Sequence, residues 1–223
     1  MDIGDKLAAF VRRCGDSIYT EDETSLSWHT GIARQAFDRV KTKIPPDSLR
    51  TVLDLGCANG FARTMFSEAG VAYYRGVTAR IDDVPADAHA NVGMSCSFTA
   101  CDMHEIAMWP KPQRGYDLIW ARHILEHSPI PLFVLVSLRE QLAPGGYLYV
   151  EVPAPDTKSM HPFNENHYSC FGVEGWVGLI RKAGLNFIDI FNITVEVMSG
   201  PDTYHCFLLQ SVSRQAEEAE PAA

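Results

Sequence analysis

A short histidine-containing stretch, Ala121 to His127 (ARHILEH), carries residue types that are well suited to proton transfer. His123 is the leading candidate for a general base and His127 the second, because an imidazole titrates near neutral pH. If the segment forms a helical turn, the spacing H-x-x-E-H also puts His123, Glu126 and His127 on one face. Two imidazoles and a carboxylate on one face could coordinate a metal ion. The stretch therefore predicts either acid–base chemistry or a metal site.

A second suggestive stretch runs from Thr51 to Gly60 (TVLDLGCANG). Its apolar run predicts a buried strand, and Gly56 and Gly60 permit positive φ and a close approach of a ligand to the backbone. A nicotinamide dinucleotide is disfavoured because the G-x-G-x-x-G spacing is absent. Asp54 would also repel a pyrophosphate, whereas its carboxylate suits a ligand that carries an ammonium group.

Alternating strands and helices must position these residues. Short apolar runs predict strands near Thr51–Leu55, Ala72–Val77, Ser97–Cys101, Tyr116–Ala121, Gly146–Val152, Asn186–Met198 and Tyr204–Val212. Helical periodicity predicts helices near Asp5–Arg13, Ser27–Lys43, Phe61–Ala69, Leu132–Leu142 and Val173–Ala183. This order predicts an α/β fold with a mostly parallel sheet and helices on both faces. The last two runs, joined by a turn at Ser199–Asp202, predict a closing antiparallel hairpin.

The bulk composition predicts one domain and disfavours several partners. The chain has 223 residues, 46% of them hydrophobic, which is enough for one well-buried α/β core. Its net charge of -9 and its scattered lysines and arginines argue against long nucleic acid as a partner. The N-terminus lacks a continuous apolar segment, and the six cysteines form no C-x-x-C pair. A cytoplasmic protein with reduced thiols and no membrane anchor is therefore expected.

Taken together, the motifs resemble those of class I S-adenosylmethionine-dependent methyltransferases, in particular the branch that modifies small molecules. VLDLGCANG looks like the first motif of that family, D-x-G-x-G-x-G. FTACDMHEI, residues 98–106, resembles the loop that holds the adenine ring. Residues 116–153 resemble the fourth strand, the following helix and the L-x-P-G-G fifth strand, and residues 166–185 resemble the closing segment of the branch.

The resemblance implies a Rossmann-like seven-stranded sheet in a single domain over residues 1–213. Residues 1–46 would form a helical lid, 51–153 the cofactor-binding core, and 154–213 the acceptor loop and closing hairpin, with a disordered tail at 214–223. It implies S-adenosylmethionine as cofactor and S-adenosylhomocysteine as product. The implied cofactor contacts are Asp54, Gly56, Cys57, Ala58, Gly60, Thr78, Asp102, Met103 and Arg122. The expected acceptor-site residues are Trp28, with His29 beside it, His161, His167 and Tyr168.

Two positions depart from the family pattern. Ala58 replaces the middle glycine of the first motif, which adds a methyl group where the amino acid end of the cofactor would pass. Thr78 stands where the family usually has an acidic residue that binds both ribose hydroxyls. One hydrogen bond in place of two charge-assisted ones would cost about 1 to 2 kcal/mol, unless Asp82 or Asp83 compensates.

The predicted function is transfer of a methyl group to an oxygen or nitrogen atom of a small molecule or sugar. The step is an in-line displacement, in which positioning supplies most of the acceleration. The alternatives are a non-catalytic cofactor-binding or scaffold protein, for which Thr78 is the best argument, and a metal-dependent methyltransferase of RNA 2′-O ends. The RNA-end enzymes carry a similar E-x-x-E-H with a downstream histidine, for which His167 is the candidate. No metal is predicted, because His123 replaces the first glutamate and because many metal-free relatives also carry LEH at this point. A homodimer is compatible with the sequence.

Overall fold

The computed structural model describes residues 2–15, 23–89, 93–109 and 111–211, without the side chains of residues 12, 15, 23–28, 87 and 89. The α-helices along these residues are α1 (Ile3–Gly15), α2 (Glu23–Val40), α3 (Arg63–Glu68), α4 (Pro131–Gln141) and α5 (Val173–Lys182). The β-strands are β1 (Thr51–Leu55), β2 (Tyr73–Thr78), β3 (Ser95–Ala100), β4 (Tyr116–Arg122), β5 (Leu142–Pro153), β6 (Leu185–Val197) and β7 (Gly200–Ser211). The predicted tail at 214–223 lies outside the described residues.

The strands form one seven-stranded sheet in the order β3-β2-β1-β4-β5-β7-β6. The first five pair in parallel, whereas β7 pairs antiparallel with both β5 and β6. Strand order reverses between β1 and β4, which is where open α/β sheets bind their ligands. The predicted α/β fold, with a mostly parallel seven-stranded sheet and an antiparallel hairpin at its end, is confirmed.

Helices cover both faces of the sheet. On one face α2 and α3 pack on β1, β2 and β4, where Phe37 makes edge contacts with Phe66 and Trp120 at 5.1 and 5.9 Å between ring centroids. On the other face α4 and α5 cover a core that includes Leu53 and Ile119. Central strands that are buried on both faces carry continuous apolar runs rather than alternating ones, which explains why they stand out in the sequence.

Three details differ from the sequence prediction. β5 begins at Leu142, directly after α4 ends, because the Pro144-Gly145-Gly146 segment already runs along β4 with a shift in register. The final hairpin turns at Met198–Ser199 rather than at Ser199–Asp202, since Val197 pairs with Gly200. Short 3-10 helices, among them Met103–Met108, stand in the described parts of the β2–β3 and β3–β4 connections.

The N-terminal helices contribute unequally to the fold. From Ile32 to Val40, α2 is part of the hydrophobic core, so this half of the predicted lid is fixed on the sheet. Along α1, Val11 and Cys14 are buried while Ile3, Leu7 and Phe10 are exposed. A lid role for residues 1–46 stays a prediction. Among the described helices, none combines the length and the apolar character needed to cross a bilayer.

Candidate active site

A cleft opens at the carboxyl ends of β1 and β4, at the point where strand order reverses. Its interior volume is about 70 Å³, and the cleft is open to solvent. Its walls come from the end of β1 and the following loop, from the end of β4 and from α2. The lining residues are His29, Asp54, Gly56, Cys57, Ala58, Phe61, Ala62, Trp120, Arg122 and His123. Six of the residues predicted from the sequence for the cofactor or for catalysis therefore lie together.

Asp54 is the acidic group of this cleft and is 4% exposed. The Tyr74 hydroxyl donates a hydrogen bond to its Oδ2 atom at 2.6 Å. Burial raises the pKa of the Asp54 carboxyl to about 6, against the opposing effects of Tyr74 and of the Arg122 charge. The ionised carboxylate is thus costly in the free protein, and a cation bound in the cleft would stabilise it.

The loop after β1 has three residues with left-handed backbone conformation, Gly56, Ala58 and Gly60, at φ 78°, 48° and 76°. A β-carbon on Gly60 would lie 2.6 Å from the Phe98 ring, and one on Gly56 would lie 3.2 Å from Ile124. Backbone conformation therefore favours glycine at both positions. Packing also excludes a side chain at Gly60, whereas a side chain at Gly56 would require Ile124 to shift by a few tenths of an ångström. The glycines at these positions are thus explained by the fold alone. A ligand that approaches the backbone closely would be a further reason for them.

Ala58 adopts a conformation that suits glycine better, since a β-carbon in the left-handed region costs roughly 1 to 2 kcal/mol. The larger conformational entropy of glycine in the unfolded chain offsets part of that strain. Ala58→Gly is therefore expected to raise the free energy of unfolding by about 0.5 to 1 kcal/mol in urea denaturation. The matched control is Ala69→Gly, at an exposed residue with φ -86°, which should lower it. Equal effects of the two changes would contradict the proposed strain.

A buried carboxylate, Glu151 on β5, holds the positive groups of the cleft. Its Oε1 atom accepts hydrogen bonds from Arg122 Nε at 2.9 Å, Arg122 Nη2 at 2.6 Å and His123 Nε2 at 2.9 Å. Its Oε2 atom accepts one from the Tyr149 hydroxyl at 2.7 Å. Burial alone would raise the pKa of Glu151, but the Arg122 and His123 charges hold it well below its usual range. Glu151 is therefore ionised and fully bonded.

His123 lies between two carboxylates and has φ 49°. Its Nε2 atom bonds Glu151, and its Nδ1 atom is 3.5 Å from Glu126 Oε1. Burial lowers the pKa of His123, but its hydrogen bonds to Glu126 and Glu151 raise it to about 9. At neutral pH the ring is a cation with both nitrogens engaged. This geometry favours a role for His123 as a fixed positive charge. The general-base role of His123 stays a prediction, and the geometry does not favour that role.

His29 is the contribution of α2 to the cleft. Its ring makes an edge contact with His123 at 5.1 Å between centroids. Burial and the neighbouring His123 and Arg122 charges lower the pKa of His29 to about 3, so this ring is neutral. The side chain of Trp28, the predicted acceptor-site residue beside it, lies outside the described part of the chain. His29 is thus the described residue that joins the N-terminal helices to the site.

The predicted ribose and adenine contacts lie at the ends of β2 and β3 and do not line this cleft. The Thr78 hydroxyl is within 3.2 Å of the Arg80 amide and 3.4 Å of its carbonyl, so a ribose would compete with these local contacts. Asp102 accepts hydrogen bonds from the amide and the ring of His104, which hold its pKa below its usual value despite burial. The His104 ring in turn bonds Ser128 at 2.8 Å, which braces this loop, with Met103 in it, against the segment after β4.

The predicted acceptor loop, which follows β5, packs against Glu126 on the side away from His123. The backbone amides of Tyr168 and Ser169 donate to the Glu126 carbonyl at 2.8 and 2.9 Å. His167 lies against His127, with ring centroids 4.8 Å apart. His161 bonds the Asp202 carboxylate and stacks on His167, whereas the Tyr168 side chain is 41% exposed. These histidines form a second group that is linked to the cleft through Glu126 and His123.

Glu151, which holds the Arg122 and His123 charges in place, is not among the residues predicted from the sequence. A signal was present, because a glutamate in the middle of the apolar run YLYVEVP is unusual for a central strand. Arg122 and Glu151 are direct partners in the parallel register of β4 and β5. An arginine at the end of one strand and a glutamate in the next could therefore have predicted an ion pair.

Fold and site together define a Rossmann-like protein with an acidic group at the end of β1 that faces a cleft at the switch point of the sheet. A family model described as a methyltransferase domain matches residues 27–190, which is most of the chain. The chain belongs to this family and is a class I S-adenosylmethionine-dependent methyltransferase.

Three proteins show similarity to this chain over part of their length. The tRNA U34 carboxymethyltransferase of Shewanella oneidensis is 31% identical over 126 residues, which cover 52% of this chain and 35% of that protein. The 27-O-demethylrifamycin SV methyltransferase of Amycolatopsis mediterranei is 24% identical over 161 residues, 66% of this chain and 58% of that protein. Phosphoethanolamine N-methyltransferase 2 of Haemonchus contortus, solved with phosphomonomethylethanolamine and S-adenosylhomocysteine, shares the fold at a TM-score of 0.62 and 15% identity, covering 80% of this chain and 52% of that one. The chain spans about a third of the length of the first of these relatives.

The residues of the cleft fit S-adenosylmethionine, the cofactor of this family. Asp54 is a buried carboxylate with a raised pKa at the cleft wall, which suits the ammonium group of the amino acid end. No carboxylate stands at Thr78 for the ribose, and Asp82 and Asp83 are exposed in the short helix Ile81–Asp83. The cleft therefore offers a charged binding group for the amino acid end of the cofactor but none for the ribose.

Proposed function

We propose that this protein transfers the methyl group of S-adenosylmethionine to an oxygen or nitrogen atom of a small molecule or sugar. The observation that carries the proposal is Asp54, a buried carboxylate facing a cleft at the switch point of the sheet. Family membership supplies the cofactor, and the 27-O-demethylrifamycin SV methyltransferase among the relatives is named for a small-molecule acceptor. The net charge of -9 argues against long nucleic acid as the acceptor.

Bound cofactor supplies an electrophilic methyl group on a sulfonium, and the residues of this chain have to hold and orient the reactants. Asp54 binds the ammonium group and fixes the amino acid end against the loop 56–60. The Arg122 and His123 charges, anchored by Glu151, form a rigid wall whose geometry does not need to change during transfer. Such pre-positioning is the main source of acceleration for an in-line displacement.

The first test is thermal unfolding with S-adenosylhomocysteine, with NADH as the control ligand. At a hundredfold excess over its Kd, binding to the folded state adds about 2.7 kcal/mol and should raise the Tm by about 5 to 10 °C for a chain of this size. NADH should leave the Tm unchanged, since the loop lacks the dinucleotide spacing. A shift with NADH alone, or with neither ligand at millimolar concentration, would contradict the proposal.

A second candidate is a cofactor-binding protein without catalytic activity. The observation that favours it is Thr78, whose hydroxyl lies against the Arg80 backbone where a ribose-binding carboxylate would be expected. Both candidates predict binding of S-adenosylhomocysteine, so binding does not separate them. Release of S-adenosylhomocysteine in the presence of a panel of hydroxylated and amine acceptors, above the level without acceptor, supports the enzyme.

A further inference from the structure

Three side chains outside the cleft bring metal-ligand atoms together. Glu126 and His127 belong to the single 3-10 turn after β4, and His167 lies on the loop after β5. One donor atom from each lies within 4.8 Å of the other two. The loop is held against the turn by the Tyr168 and Ser169 amides, which both donate to the Glu126 carbonyl. The two segments therefore present the three groups to a common point.

The environment of Glu126 is the first evidence that the three groups form a cation-binding site. The residue is 1% exposed, and its Oε1 atom is 3.5 Å from His123 Nδ1. Its Oε2 atom is buried and has no hydrogen-bond partner among the described residues. A buried carboxylate oxygen without a partner costs more than 1 kcal/mol, and coordination to a cation would remove that cost.

The orientation of His127 is the second evidence. Its Nδ1 atom is 2.9 Å from the Asn166 carbonyl oxygen. Since a carbonyl can only accept, Nδ1 carries a proton, and in the neutral ring Nε2 keeps its lone pair. A backbone carbonyl that fixes the ring in this way is the usual outer partner of a metal-binding histidine. The half-buried His167 ring meets His127 edge-on, at 4.8 Å between centroids.

We propose that Glu126, His127 and His167 bind a divalent first-row transition-metal cation. One carboxylate and two imidazoles suit such ions better than Mg²⁺ or Ca²⁺, which prefer oxygen ligands throughout. With metal–ligand bonds of about 2.1 Å, the donor atoms would lie about 3 to 4 Å apart, so the three groups have to close by roughly 1 Å. Three protein ligands leave at least one position for water or another ligand.

This ligand set differs from the face that the H-x-x-E-H spacing suggests. His123 is excluded because both of its nitrogens are engaged, one by Glu151 and one by Glu126. His167, from a distant loop, takes its place. The prediction from sequence that no metal is bound rested in part on His123 in place of a glutamate, and the present proposal departs from it because His123 is not needed as a ligand. The proposal stands independently of methyl transfer, because it concerns binding alone.

The test is titration of chelator-treated protein without a histidine tag with Co²⁺, followed by visible absorption and by calorimetry. Wild-type protein should bind one Co²⁺ per chain. Glu126→Gln and His167→Ala should each weaken binding at least about tenfold, since even changes to outer partners of metal ligands cost 10- to 100-fold. Thermal unfolding of the metal-free variants, and their response to S-adenosylhomocysteine, show whether they are folded.

His161→Gln is the matched control. It lies on the same loop and its ring stacks on His167 at 5.6 Å, but its Nε2 atom is engaged by Asp202 at 3.0 Å. Its Co²⁺ affinity should stay within about threefold of wild type. Three outcomes would overturn the proposal: no saturable Co²⁺ binding by wild type, wild-type affinity in His167→Ala, or equal loss of affinity in His161→Gln and His167→Ala.

Discussion

Glu151→Gln is expected to lower the free energy of unfolding by about 3 to 5 kcal/mol in urea denaturation at neutral pH, because it leaves a buried guanidinium without its counter-charge. The Arg122 side chain is 6% exposed and takes its close ionic contacts from Glu151 at 2.6 and 2.9 Å. A neutral amide keeps the shape of the side chain but not the charge. His123 can respond by losing its proton, whereas Arg122 cannot.

The same chemical change at an exposed ion pair is the control. Glu68 contacts Arg34 at 2.7 Å, and both side chains are about half exposed, 54% and 50%. Exposed pairs of this kind contribute little to stability, so Glu68→Gln should change the urea midpoint hardly at all. If the two variants were equally stable, Glu151 would not be the anchor of the cleft charges.

The order of the elements follows from short-range patterns, which explains why the sequence predicted it well. Buried parallel strands appear as apolar runs of five to seven residues, and the helices between them show a 3.6-residue period. The glycine loop after β1 and the run ARHILEH, which begins with the last two residues of β4, then fall at the carboxyl edge of adjacent strands. Asp54, Arg122 and His123 meet at the cleft for this reason.

The charge states of the site could not be predicted in the same way, because they depend on contacts between residues far apart in the chain. His123 is a plausible base when considered alone, and it becomes a cation through Glu151, which is 28 residues away in sequence on the neighbouring strand β5. The role of Thr78 is local, yet its hydrogen bonds to Arg80 depend on the turn that follows β2. Side-chain rotamers and turn geometry, unlike strand order, have no periodic signature.

Asp54 has the energetics expected of a functional group that is held at a cost to stability. Its folded-state pKa, about 6, is above the ordinary value of about 3.8. A raised pKa of this kind stabilises the fold fully below the unfolded-state pKa, and the contribution is lost as pH rises through the folded-state pKa. As the pH rises from about 4 to about 6, the ionisation of Asp54 thus lowers the free energy of unfolding by about 3 kcal/mol in total. A core selected for stability alone would not keep a carboxylate there.

Asp54→Asn is therefore expected to separate stability from binding. The amide mimics the protonated carboxyl and can still accept from Tyr74, so at pH 7.5 the variant should be more stable than wild type by about 1 to 3 kcal/mol. This difference should shrink as the pH approaches 4, where Asp54 is protonated in the folded protein. At the same pH of 7.5, loss of a charge-assisted contact should weaken S-adenosylhomocysteine binding by at least about tenfold. Wild-type affinity should itself rise as pH increases through 6, as Asp54 ionises.

Asp117→Asn provides the contrast, because this carboxylate lies near the opposite end of β1 and stabilises the fold directly. Its Oδ2 atom accepts from the Arg50 and Thr51 amides at 2.9 and 2.8 Å. Replacing it should lower stability and leave the affinity for S-adenosylhomocysteine unchanged. Urea denaturation gives the stability of each variant, and calorimetry gives its affinity for S-adenosylhomocysteine. These values decide whether Asp54 acts in binding. A less stable Asp54→Asn with unchanged affinity would make Asp54 a structural residue like Asp117, and the cofactor would have to be held without it.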